Sequence, residues 1–237
     1  MKIFDAFKKK KEMRVISVFN QKGGVGKTAT VVNLASALGF NKKKVLVIDM
    51  DPQGNSTSGL GVEEPEVTIY DVLTHEKEIN DTIIQTKSKN VDLIPANADL
   101  CGLEIELLNV DKKEYLLKEE LSKIPENYDF IIIDCPPSLS VLSINSLVSS
   151  HSVLIPIQCE YYALEGVSQL MNTVNIIRKG LNPELEIEGV LLTMYDSRNN
   201  LSEDVKNETE NYFKDKLFDT VIPRNIRLAE APSFGES

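Results

Sequence analysis

Seven consecutive residues, Lys22-Gly23-Gly24-Val25-Gly26-Lys27-Thr28, combine two ammonium groups and a hydroxyl with three glycines. Glycines tolerate positive φ and put no Cβ in the way, so such a chain can wrap closely around an anion. An apolar run (Val15, Ile16, Val18, Phe19) precedes the loop, and apolar residues at helical spacing follow it, which reads as strand, glycine loop and helix. In that arrangement backbone N–H groups and a helix N-terminus point at a phosphate. Lys27 can reach the β- and γ-phosphates of a nucleotide, and the Thr28 hydroxyl can ligate the Mg²⁺ that accompanies them. The ordinary pattern G-x-x-x-x-G-K-[ST] would need glycine at Gln21, so this loop departs from it and carries a second lysine, Lys22, at its front. The plainer alternative is a solvated glycine turn capping a helix, and the strand–loop–helix context argues against it.

Two carboxylate-bearing strand ends accompany the loop. Lys44 to Asp49 (KVLVID) is a nearly continuous apolar run, as expected of a parallel strand covered on both faces. It ends in Asp49-Met50-Asp51-Pro52, just past the carboxyl end of a strand, where open α/β sheets place their sites. Aspartates also cap helices and make turns. Beside a phosphate loop, Asp49 and Asp51 read as a pair that handles water and Mg²⁺. Tyr128 to Asp134 (YDFIIID) is a second buried strand whose apolar run closes on Asp134, the Walker B arrangement, in which the aspartate holds the metal through water.

The remaining chain supplies the elements that must position these groups. Thr30 to Leu38 reads as the helix after the loop, closed by Gly39 as a C-cap. Thr68–Leu73, Ile79–Ile84, Leu100–Leu108 and Tyr115–Leu121 carry helical patterns, and Val91–Pro95 reads as a short strand. Ser152–Pro156, Glu188–Met194 and Thr220–Ile222 read as strands, Ala163–Lys179 as an amphipathic helix, and Ser202–Lys214 as another capped by Ser202. Strands alternate with helices without repeats or a low-complexity linker. The expected fold is α/β, a doubly wound, largely parallel sheet with helices on both faces.

Composition narrows the classes. The 237 residues suit one α/β domain, and 42% hydrophobic with 26% charged residues is ordinary for a globular protein. No apolar run approaches the ~20 residues of a membrane span, and no secretory signal is recognisable. Cys101, Cys135 and Cys159 lack metal-like spacing and read as small buried or half-buried residues of a cytosolic protein. The net charge of −10 argues against a general affinity for nucleic acid, so any DNA contact needs a local basic patch. Met1 to Glu12 (MKIFDAFKKKKE) has five lysines, with Ile3, Phe4 and Phe7 able to gather on one side of a helical turn. Weak contact with an anionic membrane or another polyanion is one reading of this tail, and a solvated, disordered segment is the other.

QKGGVGKT (21–28), VIDMDPQGNST (47–57), YDFIIIDCPPS (128–138) and CEYYALEG (159–166) resemble the ParA/Soj partition ATPases of the deviant Walker A class. LLTMYDSRNNLS (191–202) and VIPRNIRLAEAPSFG (221–235) do so too, so the similarity runs from Met13 nearly to the end. The resemblance implies a Mg²⁺-ATP-dependent homodimer closing around two nucleotides, binding DNA nonspecifically in that state and released when a ParB-type centromere-binding partner stimulates hydrolysis. It implies a cytoplasmic, nucleoid-associated protein. It makes Lys22 the lysine that reaches the other subunit's ATP, assigns Asp51 to hydrolysis and Asp134 to the metal, and puts Pro223 and Asn225 near the adenine. Positions like Arg198 and Arg227 are basic and tied to DNA in the family. The phosphate-binding stretch is Lys22 through Ala29, and Ala29 stands where the family usually has threonine, so one side-chain contact to the α-phosphate is missing. Relatives continue beyond the point matching Ser237 into a final helix, so the expected organisation is a basic tail (1–12) and one ATPase domain (13–237) without that helix. A MinD-like membrane-associated ATPase would share the loop but carries its amphipathic anchor at the carboxyl end. An iron–sulfur reductase of the same superfamily would need paired cluster cysteines, and a regulatory ATP-binding switch stays open.

Overall fold

The computed structural model describes residues 13–160 and 163–225; the tail 1–12 and Arg227 lie outside the described residues. Eight strands form one sheet: β1 (Arg14–Val18), β2 (Val45–Asp49), β3 (Ile84–Gln85), β4 (Val91–Ile94), β5 (Phe130–Asp134), β6 (Ser152–Gln158), β7 (Glu186–Tyr195) and β8 (Leu217–Pro223). Their spatial order is β3-β4-β2-β5-β1-β6-β7-β8, parallel throughout except for the short antiparallel pair β3–β4. The helices are α1 (Lys27–Phe40), α2 (Asn55–Gly59), α3 (Ile69–Leu73), α4 (Leu103–Glu106), α5 (Leu116–Leu121), α6 (Val141–Ser149), α7 (Ala163–Gly180) and α8 (Asn200–Phe213).

The apolar runs form central strands because both of their faces are covered. Leu46, Ile48, Ile131 and Ile133 point into one core with α5, α6 and α7, through Leu117, Leu147 and Val174. Val45, Val47, Phe130 and Ile132 alternate onto the opposite face, against Val31, Leu34, Ala35 and Leu38 of α1. Each fully buried aliphatic side chain contributes about 1.5–3 kcal/mol, so a polar substitution within β2 or β5 would be severe. The register sets Asp49 beside Asp134, one at the end of each strand, and β1, paired with β5, brings the glycine loop to the Asp134 end.

Several local expectations need correction. Gly39 is inside α1, which runs on to Phe40 with Asn41 as its C-cap. Its reason is close approach: a Cβ there would meet the Lys89 carbonyl oxygen at 2.1 Å. Ser202 also lies inside its helix, and Asn199 is the cap, accepting from Leu201 N at 3.0 Å. The patterns at 79–84 and 100–121 resolve into short 3₁₀ and α turns, with strand β3 following the first. Helix α2 (NSTSG) has no apolar periodicity to announce it, whereas α6 has Val141, Ile144 and Val148 at helical spacing and also buries the hydrogen-bonded Ser143, Asn145 and Ser146. Cys135 is buried and Cys159 half-buried, as expected, but Cys101 is exposed. Among the described residues no helix is long and apolar enough to cross a membrane.

Candidate nucleotide and metal site

The loop between β1 and α1 is held from beneath and left open above. Asn20 sets its entry, accepting from Lys22 N at 3.0 Å and donating to the Pro156 carbonyl at 2.8 Å. Gly24 and Gly26 have φ of +74° and +86°, so a side chain at either would be strained. A Cβ on Gly23 or Gly24 would meet nothing within 4 Å, which leaves a hollow over the backbone. Val25 is buried, its carbonyl accepting from Thr193 Oγ1 of β7 at 2.8 Å, so the sheet's other half buttresses the loop. Helix α1 has no side-chain cap, and its first internal bond is Thr30 N to the Gly26 carbonyl. The N–H groups of Lys27, Thr28 and Ala29 are therefore outside the helical ladder, the donor set that an anion satisfies.

The two lysines behave differently. Lys27 is 7% exposed and donates through Nζ to the Lys22 carbonyl at 3.0 Å, bridging the loop. Burial lowers its pKa, and the charges of Asp134, Cys135 and Asp51 partly oppose that shift. Lys22 stands at the outer edge with its side chain 46% exposed, ion-paired with Glu160 just past β6.

Behind the loop lies a cluster of buried carboxylates. Asp49 accepts from Asp51 N at 3.1 Å and from both the N–H and the hydroxyl of Thr57 at 2.8 Å. Both of its oxygens are thus engaged. Asp49, expected to share in metal handling, also clamps the 49–57 turn, whose donors take three of its lone pairs and leave Oδ1 with a single bond. Asp51 is 7% exposed and accepts from Gln53 N at 3.0 Å. Asp134 accepts from Ser56 Oγ at 2.7 Å through Oδ2, while its buried Oδ1 has no hydrogen-bond partner among the described residues. Burial, then the charge of Asp134, pushes Asp49 up to about 7. Burial pushes Asp134 up to about 6, opposed by the Ser56 and Thr28 hydroxyls. An orphaned buried carboxylate oxygen beside a threonine hydroxyl suits a hard cation with oxygen ligands, so these residues fit Mg²⁺.

The structure thus brings together Lys22 through Ala29 with Asp49, Asp51 and Asp134. Pro223 and Asn225 lie at and just beyond the end of β8, both exposed. Arg198 precedes α8 with its side chain 88% exposed, but its guanidinium is bidentate on Asp196 at 2.9 Å. That pairing, through the Arg198 side chain and then its backbone N–H, holds Asp196 down at about 2. Sequence reading did not single out Asn20, Ser56, Thr57, Glu160 or Thr193 as site residues. All five lie within or beside quoted motifs as ordinary polar residues, and only the folded contacts reveal their work.

The AAA domain family matches residues 13–187. The chain is 55% identical over 225 residues to the sporulation initiation inhibitor protein Soj of Bacillus subtilis, covering 94% of this chain and 89% of that protein. A cobyrinic acid a,c-diamide synthase from Mycobacterium smegmatis, solved with ADP and magnesium, superimposes with a TM-score of 0.85 at 38% identity, covering 94% of this chain and 92% of that one. A putative plasmid partition protein from Borrelia burgdorferi bound to AMPPNP gives a TM-score of 0.82 at 30% identity, over 95% and 91% of the two chains. On this similarity the chain belongs to the ParA/Soj family of P-loop partition ATPases.

Proposed function

We propose that this protein is a Mg²⁺-ATP-dependent dimerising ATPase that partitions chromosomal or plasmid DNA. The observation that carries the reading is the division of labour between two lysines of one loop. Lys27 is buried and turned into its own loop, whereas Lys22 stands on the outer edge, where a facing subunit's nucleotide would meet it. The N–H groups from Gly23 to Ala29 bind the phosphates, and Lys27 releases the Lys22 carbonyl to contact them. Thr28 and Asp134 hold Mg²⁺, which when bound neutralises charge on the phosphate oxygens. Asp51, fixed by the Asp49 clamp, orients the attacking water, and Pro223 with Asn225 flanks the adenine. Arg198 and Arg227 meet DNA phosphates in the ATP-bound dimer, Arg198 by giving up Asp196. A ParB-type partner accelerates hydrolysis and resets the monomer. The protein then works in the cytoplasm on the nucleoid, and its basic tail adds at most weak, reversible contact with anionic membrane.

Co-sedimentation with DNA or with anionic vesicles, with and without Mg²⁺-ATP at physiological salt, tests the reading. DNA should pellet the protein strongly only with ATP. Asp51→Ala should retain that binding without turnover, and Lys27→Ala should lose both. ATP-dependent pelleting with vesicles but not DNA would favour a membrane-positioning ATPase instead.

A further inference from the structure

A protein of net charge −10 can hold a polyanion only through a local concentration of cations. Near the nucleotide site, the described Arg198 has its charge balanced by Asp196. The opposite end of the sheet is different. There the α1–β2 turn carries Lys42, Lys43 and Lys44, and the β3–β4 turn carries Lys87 and Lys89. The two turns are 45 residues apart in sequence, Lys42 to Lys87, yet fastened together. Asn90 Nδ2 donates to the Gly39 carbonyl at 2.9 Å, Val45 N donates to the Asn90 carbonyl at 3.0 Å, and Ser36 and Ser88 share a hydroxyl hydrogen bond at 3.1 Å. Gly39 allows this contact, since the Lys89 carbonyl occupies the space that a Cβ would need.

The neighbouring acids do not neutralise the edge. Asp129 is taken by Lys43 at 3.4 Å and by Lys44 N at 2.9 Å, and Asp92 accepts from the Tyr128 hydroxyl at 2.8 Å. Glu126 is exposed in the turn before β5. Lys42, Lys44, Lys87 and Lys89 are all exposed, and none is ion-paired with an acidic side chain among the described residues. Lys44 and Lys89 both line a cleft of about 370 Å³, and Phe40 stands 82% exposed at the adjoining helix end.

We propose that this lysine edge is a second DNA-backbone contact, separate from the nucleotide end of the sheet. The choice of DNA among polyanions rests on the partition reading above. Lysines act as point charges on phosphate, so the contact is independent of sequence. It is present in the monomer and needs no nucleotide. Dimerisation through the nucleotide end leaves the two edges on opposite outer sides of the dimer, so each makes its own weak contact, additional to the one at the nucleotide end.

The test is fluorescence anisotropy on random-sequence duplex DNA between about 50 and 200 mM salt. Wild type is compared with the quadruple Lys→Gln variant at 42, 44, 87 and 89, and with a charge-matched control at Lys112, Lys118, Lys179 and Lys214. Four lost phosphate contacts should make the log–log salt slope shallower by about 3–4 and weaken low-salt binding by roughly 100-fold. The control should lose far less, and ATP turnover and melting temperature should not change in either variant. Equal losses in the two variants, or an unchanged salt slope in the first, would overturn the edge. Loss of binding to anionic vesicles with DNA binding intact would overturn it too. If wild type binds DNA and only the edge variant is silent on it, the partition reading survives. A wild type that binds no DNA removes both.

Discussion

At the carboxyl end of β2, Asp49 is fully buried and accepts three hydrogen bonds; just before its amino end, Lys44 is exposed and its ammonium forms no ion pair with an acidic side chain among the described residues. About 16 Å of extended chain separates these environments. The carboxyl end concentrates buried negative charge under a glycine loop, which suits a cation and a phosphate chain held together. The amino end concentrates solvated positive charge on two turns clamped by backbone approach. What the difference teaches is that a parallel sheet can present opposite electrostatics at its two ends, because every strand delivers its terminus to the same side. Burial makes the first end selective, and exposure leaves the second sequence-tolerant and sensitive to salt.

The largest effect should come from breaking the amino end at Gly39. A glycine inside a helix ordinarily gains about 1 kcal/mol when replaced by alanine. Here the new Cβ would meet the Lys89 carbonyl at 2.1 Å and Val91 Cγ2 at 2.9 Å. Gly39→Ala should therefore destabilise by about 2–3 kcal/mol in urea titration, the strain of overpacking. ATP affinity of the folded fraction should hold. A stabilised variant would mean that the two turns are not clamped as described.

Ser56→Ala addresses the carboxyl end with a smaller effect. Removing the 2.7 Å hydrogen bond to Asp134 frees a carboxylate that Ser56 had oriented. A bond to a charged group is worth about 1.5–3 kcal/mol, so Mg²⁺ affinity of the ADP complex should fall by roughly tenfold or more. Manganese titration followed by electron paramagnetic resonance reads this directly, with exposed Ser58→Ala as the control expected to change nothing.

The mildest sharpening is pH. Burial raises Asp134 to about 6, so between about pH 4 and 6 the folded protein holds this proton more tightly than the unfolded chain. This group's contribution to stability therefore falls as pH rises through that window, and below it a cation must displace the proton. After correction for protonation of ADP itself, Mg²⁺ affinity should drop about fourfold from pH 7.5 to 5.5. DNA binding at the lysine edge should be flat over the same range, since lysines stay charged there.

The carboxyl end was largely legible in the sequence. KGGVGKT and the runs ending in Asp49 and Asp134 are local signals, written where strands buried on both faces must be apolar throughout. Its support was not. Ser56 and Thr57 sit in a five-residue helix without periodicity, and Thr193 reaches Val25 across 168 residues of chain. That Asp49 also clamps its own turn is visible only in its three donors, two of them from Thr57. Gly39 was misread for the same reason, since the group that requires glycine there comes from Lys89. The basic edge escaped notice because its lysines are divided between two turns, each unremarkable alone.

The most direct test of the nucleotide switch is sedimentation of Asp51→Ala, which should bind ATP without consuming it. Lys22 is held by Glu160 at the outer edge of its own loop, where it can serve a facing γ-phosphate that only ATP supplies. ATP should give a dimer and ADP a monomer, and adding Lys22→Ala should return the ATP form to monomer. A dimer that persists without Lys22, or forms equally well in ADP, would contradict the account.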